Sequence, residues 1–287
     1  MLTMDELLTL LAEPYNDTVD YLKREHPLLV PKFDHVGLKP SIRGIPGLSK
    51  RKTHELSQLI PHILQLIKSH DVEFIIDVGS GKSYLSRYLS RVVTVICIEK
   101  NQMKVNTARR LDRISDIDIC YINNLDQFNT VERFILSKKK NNQSVPNSLI
   151  VGLDICGDLL SQALKFMVNS QLSFLNIVGT VVVPCCFHKV TELLTSDVLL
   201  PPYRISDQDL RFLSDEEIQK KHEQESSVEF HAWTYEKGWL SRLYESLVLY
   251  DLLDFLKAHN YEAQLSPVFK FSISSRNMMI KAISEKQ

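Results

Sequence analysis

The sequence predicts an α/β fold: a mostly parallel, seven-stranded sheet with helices on both faces. Three observations carry this. Short apolar runs rich in Val and Ile alternate with stretches whose apolar residues recur every three or four positions, the signatures of strand and helix. The first run ends in a glycine-rich turn that opens directly into a helical stretch. The alternation then continues through most of a 287-residue chain, a length that open α/β sheets reach with one core.

Taken in order, Leu56, Leu59, Ile60, Ile63, Leu64 and Ile67 put one apolar face on a helix from Lys52 to His70, with Pro61 expected to kink or restart it. Strand one is Glu73 to Val78, and Tyr84 to Ser90 is helical. Val92 to Ile98 is strand two, ending at the acid Glu99, and a helix follows from Gln102 to Arg113. Ile117 to Ile122 is strand three, closed by the polar pair Asn123-Asn124. Ser137 to Ser144, with three consecutive lysines, reads as a solvated loop. Ser148 to Leu153 and Ile177 to Val183 are strands four and five, separated by a helix over Ser161 to Asn169. A helix from about Leu240 to His259 precedes Tyr261 to Gln264 and Met278 to Ala282, which supply the closing strands.

Residues 1–50 carry five prolines and read as a helical and looped extension, and 51–287 form the main domain. A polar insertion interrupts the rhythm around 203–230, where Ser214-Asp215-Glu216-Glu217 fits a helix capping box. The net charge is −1 at pH 7, so the chain lacks the global basic bias of many nucleic-acid binders. No run of about 18 uncharged apolar residues occurs and the N-terminus has no basic-then-apolar leader, so a cytoplasmic or nuclear location without a membrane is expected. Nothing in the pattern specifies an oligomeric state.

The turn Asp77-Val78-Gly79-Ser80-Gly81 lies where a nucleoside-containing cofactor would cross the carboxyl rim of the sheet. Glycine there permits both a tight turn and close approach of the ligand to backbone. Asp77 orients the turn or reaches the cofactor's amino-acid moiety through water. Glu99, 22 residues on at the end of the next strand, is placed to accept both ribose hydroxyls. A phosphate-binding loop is excluded at Gly81-Lys82-Ser83, because the glycine required five positions earlier is Ile76. A dinucleotide is not expected, since Tyr84 stands where the full fingerprint has its third glycine, but a nicotinamide-dependent oxidoreductase, which also uses a glycine turn and an acid, stays as a less favoured alternative.

Ligands of such sheets sit beyond the strand tips, which brings forward Asp154-Ile155-Cys156-Gly157-Asp158 and Pro184-Cys185-Cys186-Phe187-His188. Asp154 is a candidate hydrogen-bond acceptor toward a substrate nucleophile, and His188 a candidate general base. Helix capping is the competing role, above all for Asp158. No metal is expected: neighbouring residues of an extended strand face opposite ways, which separates Cys185 from Cys186, and no Cys-x-x-Cys spacing occurs. A zinc site from Cys156, one of that pair and His188, or a nucleophilic cysteine, stays conceivable beside the simpler reading of tight packing near the cofactor.

Gly47 to Leu56, Val78-Gly79-Ser80-Gly81-Lys82 with Tyr84-Leu85-Ser86-Arg87, Val151-Gly152-Leu153 with Cys156-Gly157-Asp158-Leu159, Cys185-Cys186-Phe187-His188-Lys189 and Ser274-Ser275-Arg276-Asn277 occur in this order over residues 47–277. In this order they resemble the methyltransferase-like protein twenty-five family. The resemblance implies a Rossmann-like class I methyltransferase with S-adenosylmethionine as cofactor, held by Asp77, Gly79, Ser80, Gly81 and Glu99 with Asn123 near the adenine. The Cys-Gly-Asp and Cys-Cys-aromatic-His segments are more distantly similar to those of tRNA acceptor-stem 2′-O-methyltransferases, so RNA stands beside protein as the expected macromolecular substrate. Lys52, His54, Arg276 and Asn277 are carried over as substrate-side candidates. The sequence departs from the family's pattern twice: Asp154 replaces a usual histidine, and Ser83 a usual glycine. The first change leaves a catalytically inactive, cofactor-binding scaffold as the rival reading.

Overall fold

The computed structural model describes residues 48–115, 117, 119–124, 128–138, 144–169, 172–195, 245–271 and 273–285. The expected N-terminal extension before residue 48, the insertion around 203–230 with its capping box, and Lys139-Lys140 lie outside them. Of the described residues, 187–195 and 245–252 fall in one compact unit, and 48–186 with 253–285 in another.

The larger unit holds the sheet. Its elements are α1 (Lys50–Ser69), β1 (Val72–Val78), α2 (Tyr84–Leu89), β2 (Thr94–Ile98), α3 (Gln102–Ser115), β3 (Cys120–Ile122), α4 (Phe128–Lys138), β4 (Asn147–Cys156), α5 (Asp158–Asn169), β5 (Asn176–Cys185), β6 (Tyr261–Pro267) and β7 (Met278–Ser284). The seven strands run in the order β3-β2-β1-β4-β5-β7-β6. β1 to β5 are parallel, and β7 enters antiparallel between β5 and β6. The strand order reverses between β1 and β4, so a crevice opens above their carboxyl ends, the usual ligand position of an open α/β sheet.

The helix start is set by Ser49, whose side chain accepts a 3.1 Å hydrogen bond from the Lys52 amide, and the helix runs unbroken through Pro61 to Ser69. The expected restart is therefore corrected. Leu56, Leu59, Ile60 and Ile63, on both sides of Pro61, are all fully buried in the sheet's core cluster. At about 2 kcal/mol for each buried side chain, that continuous face outweighs one missing backbone hydrogen bond. β4 and β5 extend to Cys156 and Cys185, past the expected ends at Leu153 and Val183. α4 occupies a stretch where no helix was expected and takes in Ser137 and Lys138 of the supposed loop.

In the smaller unit Asp251, 1% exposed, accepts hydrogen bonds from the Leu194 amide at 2.7 Å and the Thr195 amide at 2.8 Å. Helical residues 245–258 match the expected final helix where it is described. Among the described residues no helix is long and apolar enough to cross a membrane.

Candidate active site

The glycine turn is pinned to the neighbouring strand before any ligand enters. The Gly79 and Ser80 amides both donate to the Ile98 carbonyl, at 2.9 and 3.1 Å. Gly79 and Gly81 sit at φ +70° and +58°, the left-handed region where a Cβ is costly. Ser83 shares that conformation at φ +57°, although fully buried and not glycine. A glycine at this position would thus have a local backbone reason.

Beneath the turn lies a polar bracket. Asp77, 2% exposed, accepts a short hydrogen bond from Ser86 Oγ, and Cys97 Sγ donates to the same Ser86 oxygen at 3.0 Å. Burial pushes the Asp77 carboxyl up to about 7; Ser86 opposes the shift and the nearby Glu99 charge adds to it. Arg87 donates to the Lys82 carbonyl at the turn and to Asp112 Oδ1 at 2.8 Å, and it is 3% exposed. Sequence reasoning noted Ser86 and Arg87 only as part of a motif. Their work is to clamp the turn from below, and a polar pair on an otherwise apolar helix face was the available signal.

Glu99 stands at the tip of β2 with its carboxylate turned to the backbone: Oε2 accepts from the Gly81 amide at 3.0 Å and Oε1 from the Asn101 amide at 2.8 Å. Each oxygen keeps a second lone pair for a further donor. Asn123 follows the end of β3, two strands over from the turn, and is exposed.

A cavity of about 260 Å³ opens at the β1/β4 crevice, lined by the turn, Lys52, Asp77, Lys82, Tyr84, Lys104 and Asp154 among others. The structure thus brings Lys52 and Asp154 together with the turn, and it adds Lys104, which nothing in its charge-rich helix singles out. Lys52 Nζ lies 2.6 Å from Asp154 Oδ2 and 2.6 Å from Glu55 Oε2. Burial lowers the Lys52 pKa, but the two carboxylates more than offset it and hold the ammonium above its ordinary value. Glu55, fully buried, also accepts from Ser274 Oγ at 2.9 Å and pairs with Arg51 Nε at 3.2 Å.

Two substrate-side candidates have structural contacts of their own. His54 Nε2 accepts the Lys270 amide at 3.0 Å, with its ring edge-on to Phe269, so it ties α1 to the loop after β6. Burial, then the Lys270 charge, lower its pKa. Asn277 is fully buried and donates to the Phe269 carbonyl at 3.2 Å, which leaves no surface for a substrate. Arg276 is partly buried in the same loop. His188 lies in the 3₁₀ turn Phe187–Lys189; its side chain lies outside the described part of the structure.

The cysteine expectation is corrected as well. Cys186 adopts φ +51°, so the chain leaves strand geometry where opposite orientation of neighbours was assumed. Cys156, Cys185 and Cys186 converge instead, with all three sulfurs within 4.8 Å of one another.

A doubly wound sheet, a left-handed glycine turn tied to the next strand, and a cavity at the switch point define a Rossmann-like class I methyltransferase domain. Residues 51–193 match a protein family described as "Methyltransferase domain". By this match and this fold the chain carries a methyltransferase domain, and S-adenosylmethionine is the donor that such domains use. The cavity suits that donor: Asp154 offers an anion to an ammonium or sulfonium, Asp77 a second one above about pH 7, and Lys52, Lys82 and Lys104 offer cations to a carboxylate. No curated protein matches the chain. Among solved structures it is similar to the O-methyltransferase TomG from Streptomyces achromogenes, involved in tomaymycin synthesis and solved with S-adenosylmethionine. The two are 10% identical over 83% of this chain and 82% of that one, with a TM-score of 0.41. It is also similar to the S-adenosylhomocysteine-bound methyltransferase PaMTH1 from Podospora anserina, at 11% identity over 96% and 98% with a TM-score of 0.42. Likeness at this level carries no inference about the acceptor.

Proposed function

We propose that the protein transfers a methyl group from S-adenosylmethionine to a macromolecular acceptor, RNA or protein, that docks on the carboxyl rim beside Asp154. The observation that carries this reading is the shared cavity: the glycine turn and Asp154 line the same space. Lys50, Arg51 and Cys156, within two positions of the lining residues Lys52 and Asp154, are exposed, which suits an acceptor too large to be enclosed. The exposed cations and the resemblance to RNA methyltransferases support RNA as one acceptor class.

The bound donor supplies an electrophilic methyl on a sulfonium that leaves with little need of acid help. The chain's own residues then act chiefly by positioning. Gly79 to Gly81 admit the donor's tail, Glu99 is assigned the ribose through its spare lone pairs, and Asn123 the adenine side. Lys52 fixes the Asp154 carboxylate, which accepts a hydrogen bond from the acceptor nucleophile. His188 is assigned to the acceptor side as a base.

Calorimetric titration with S-adenosylmethionine, followed by tritiated methyl transfer to whole-cell RNA and protein fractions, tests the proposal. Binding with nuclease- or protease-sensitive label is expected. Binding without label in either fraction replaces the enzyme reading with the scaffold, and tight dinucleotide binding without donor binding overturns both.

A further inference from the structure

We propose that Cys156, Cys185 and Cys186 form a thiolate site for a soft divalent cation, zinc(II), bridging the tips of β4 and β5. The inference stands apart from the identity of the methyl acceptor.

The sulfurs are 3.0 Å (Cys156 to Cys185), 3.3 Å (Cys156 to Cys186) and 3.5 Å (Cys185 to Cys186) apart. Zinc–thiolate bonds of about 2.3 Å at tetrahedral angles put ligand sulfurs about 3.8 Å apart, so the triangle must widen by less than about 1 Å on each side. The backbone already holds the geometry. Cys156 and Cys185 are register partners on adjacent parallel strands. The left-handed turn at Cys186 then brings the third thiol to the same side, and Asp154 and Gly157, at φ +64° and +54°, bend the β4 tip on either side of Cys156. Two non-glycine residues in that conformation within one small cluster are a constraint that the surrounding structure must maintain.

The chemistry selects the ligand class. Three sulfur donors favour zinc or another thiophilic ion over the hard, oxygen-seeking magnesium and calcium. Binding exchanges protons for metal: one zinc(II) and three thiols give a zinc tris-thiolate of net charge −1 and three released protons, with water or another donor at the fourth position. A disulfide could join only two of the three sulfurs and would need an oxidant, whereas a cation engages all of them. No disulfide joins any of the five cysteines. Cys156 is exposed, so a cation has a route in from solvent. The Asp154 carbonyl, 3.1 Å from Cys185 Sγ, places the site directly beside the methyl-transfer cavity.

The test uses the full chain, purified without a metal-affinity tag, stripped with a chelator and titrated with cobalt(II) and then zinc(II). One equivalent of cobalt with sulfur-to-metal charge-transfer absorption, displaced by zinc with proton release, is expected. Cys156→Ser, Cys185→Ser and Cys186→Ser should each weaken zinc binding by about 100-fold or more, whereas Cys120→Ser should not. Cys156→Ser changes an exposed side chain and retains the fold, checked by circular dichroism, so its metal loss reads the site itself. Absence of the charge-transfer band, zinc affinity untouched in the Cys156→Ser and Cys185→Ser double variant, or a mass 2 Da lower without metal uptake would each overturn the proposal, the last in favour of a redox pair.

Discussion

Lys52 Nζ meets Asp154 Oδ2 at 2.6 Å across 102 residues of chain, joining the first turn of α1 to the tip of β4. The contact couples the helix that backs the sheet to the strand whose tip lines the cavity. The same ammonium neutralises Glu55, so one cation serves a buried and a half-exposed carboxylate.

Replacing that cation should therefore cost more than replacing Asp154. Lys52→Met leaves Glu55 fully buried beside only Arg51, and is expected to lower stability by about 2–3 kcal/mol, whereas Asp154→Asn, at a side chain 29% exposed, should lose less than about 1 kcal/mol. Urea unfolding of both variants checks this; equal losses would show that Glu55 is satisfied without Lys52.

Asp77 gives a pH signature of definite sign. Its folded pKa of about 7 lies above the ordinary 3.8, so between these values the folded state holds a proton that the unfolded chain has released. Its contribution is thus fully favourable below about pH 4 and is lost as pH rises toward 7, by on the order of 4 kcal/mol. Asp77→Asn should flatten this fall, and the difference between the two stability curves against pH isolates it. Parallel curves would place the Asp77 pKa at its ordinary value.

Ser83→Gly is expected to stabilise the protein by about 0.5–1 kcal/mol. The substitution relieves a left-handed serine at φ +57° and gives back part of the gain through a more flexible unfolded chain. Thermal unfolding measures it, and donor affinity should change less than about threefold, within the range of small surface effects.

Gly81→Val should abolish donor binding without unfolding the domain. A β-branched side chain at φ +58° moves the turn and fills the cavity mouth, so the calorimetric Kd for S-adenosylmethionine should rise at least about tenfold. Unchanged affinity would remove the turn from the donor site.

The alternation of apolar runs made the sheet legible, because strands buried on both faces must be continuously apolar and the helices between them need only one apolar face. α4 escaped notice because its last turn carries Ser137 and Lys138, which resemble the polar loop beyond it. The glycine turn was readable because glycine has few other reasons to follow a strand in that pattern. The Lys52–Glu55–Asp154 triad was only half visible: Lys52 and Asp154 were named separately, Glu55 stood only within the run Gly47 to Leu56, and helix and strand meet through packing that spacing does not encode. The thiol cluster was misread for a similar reason, since one left-handed residue, Cys186, undoes the period-2 rule on which the orientation argument rested.

Asp154 is the extra residue in its strand pair: Leu153 is opposite Val183 and Ile155 opposite Pro184, with the register shift between them. A methyl group added to Gly152 would strike Ile155 at 2.3 Å, although positions an odd number apart in a regular strand face opposite ways. The extra residue thus leaves Ile155 in step with the regular alternation of β5. Excising Asp154 would make Leu153 and Ile155 adjacent, still on opposite faces and still opposite Val183 and Pro184, so the strand would run on without its bend and lose the carboxylate that meets Lys52.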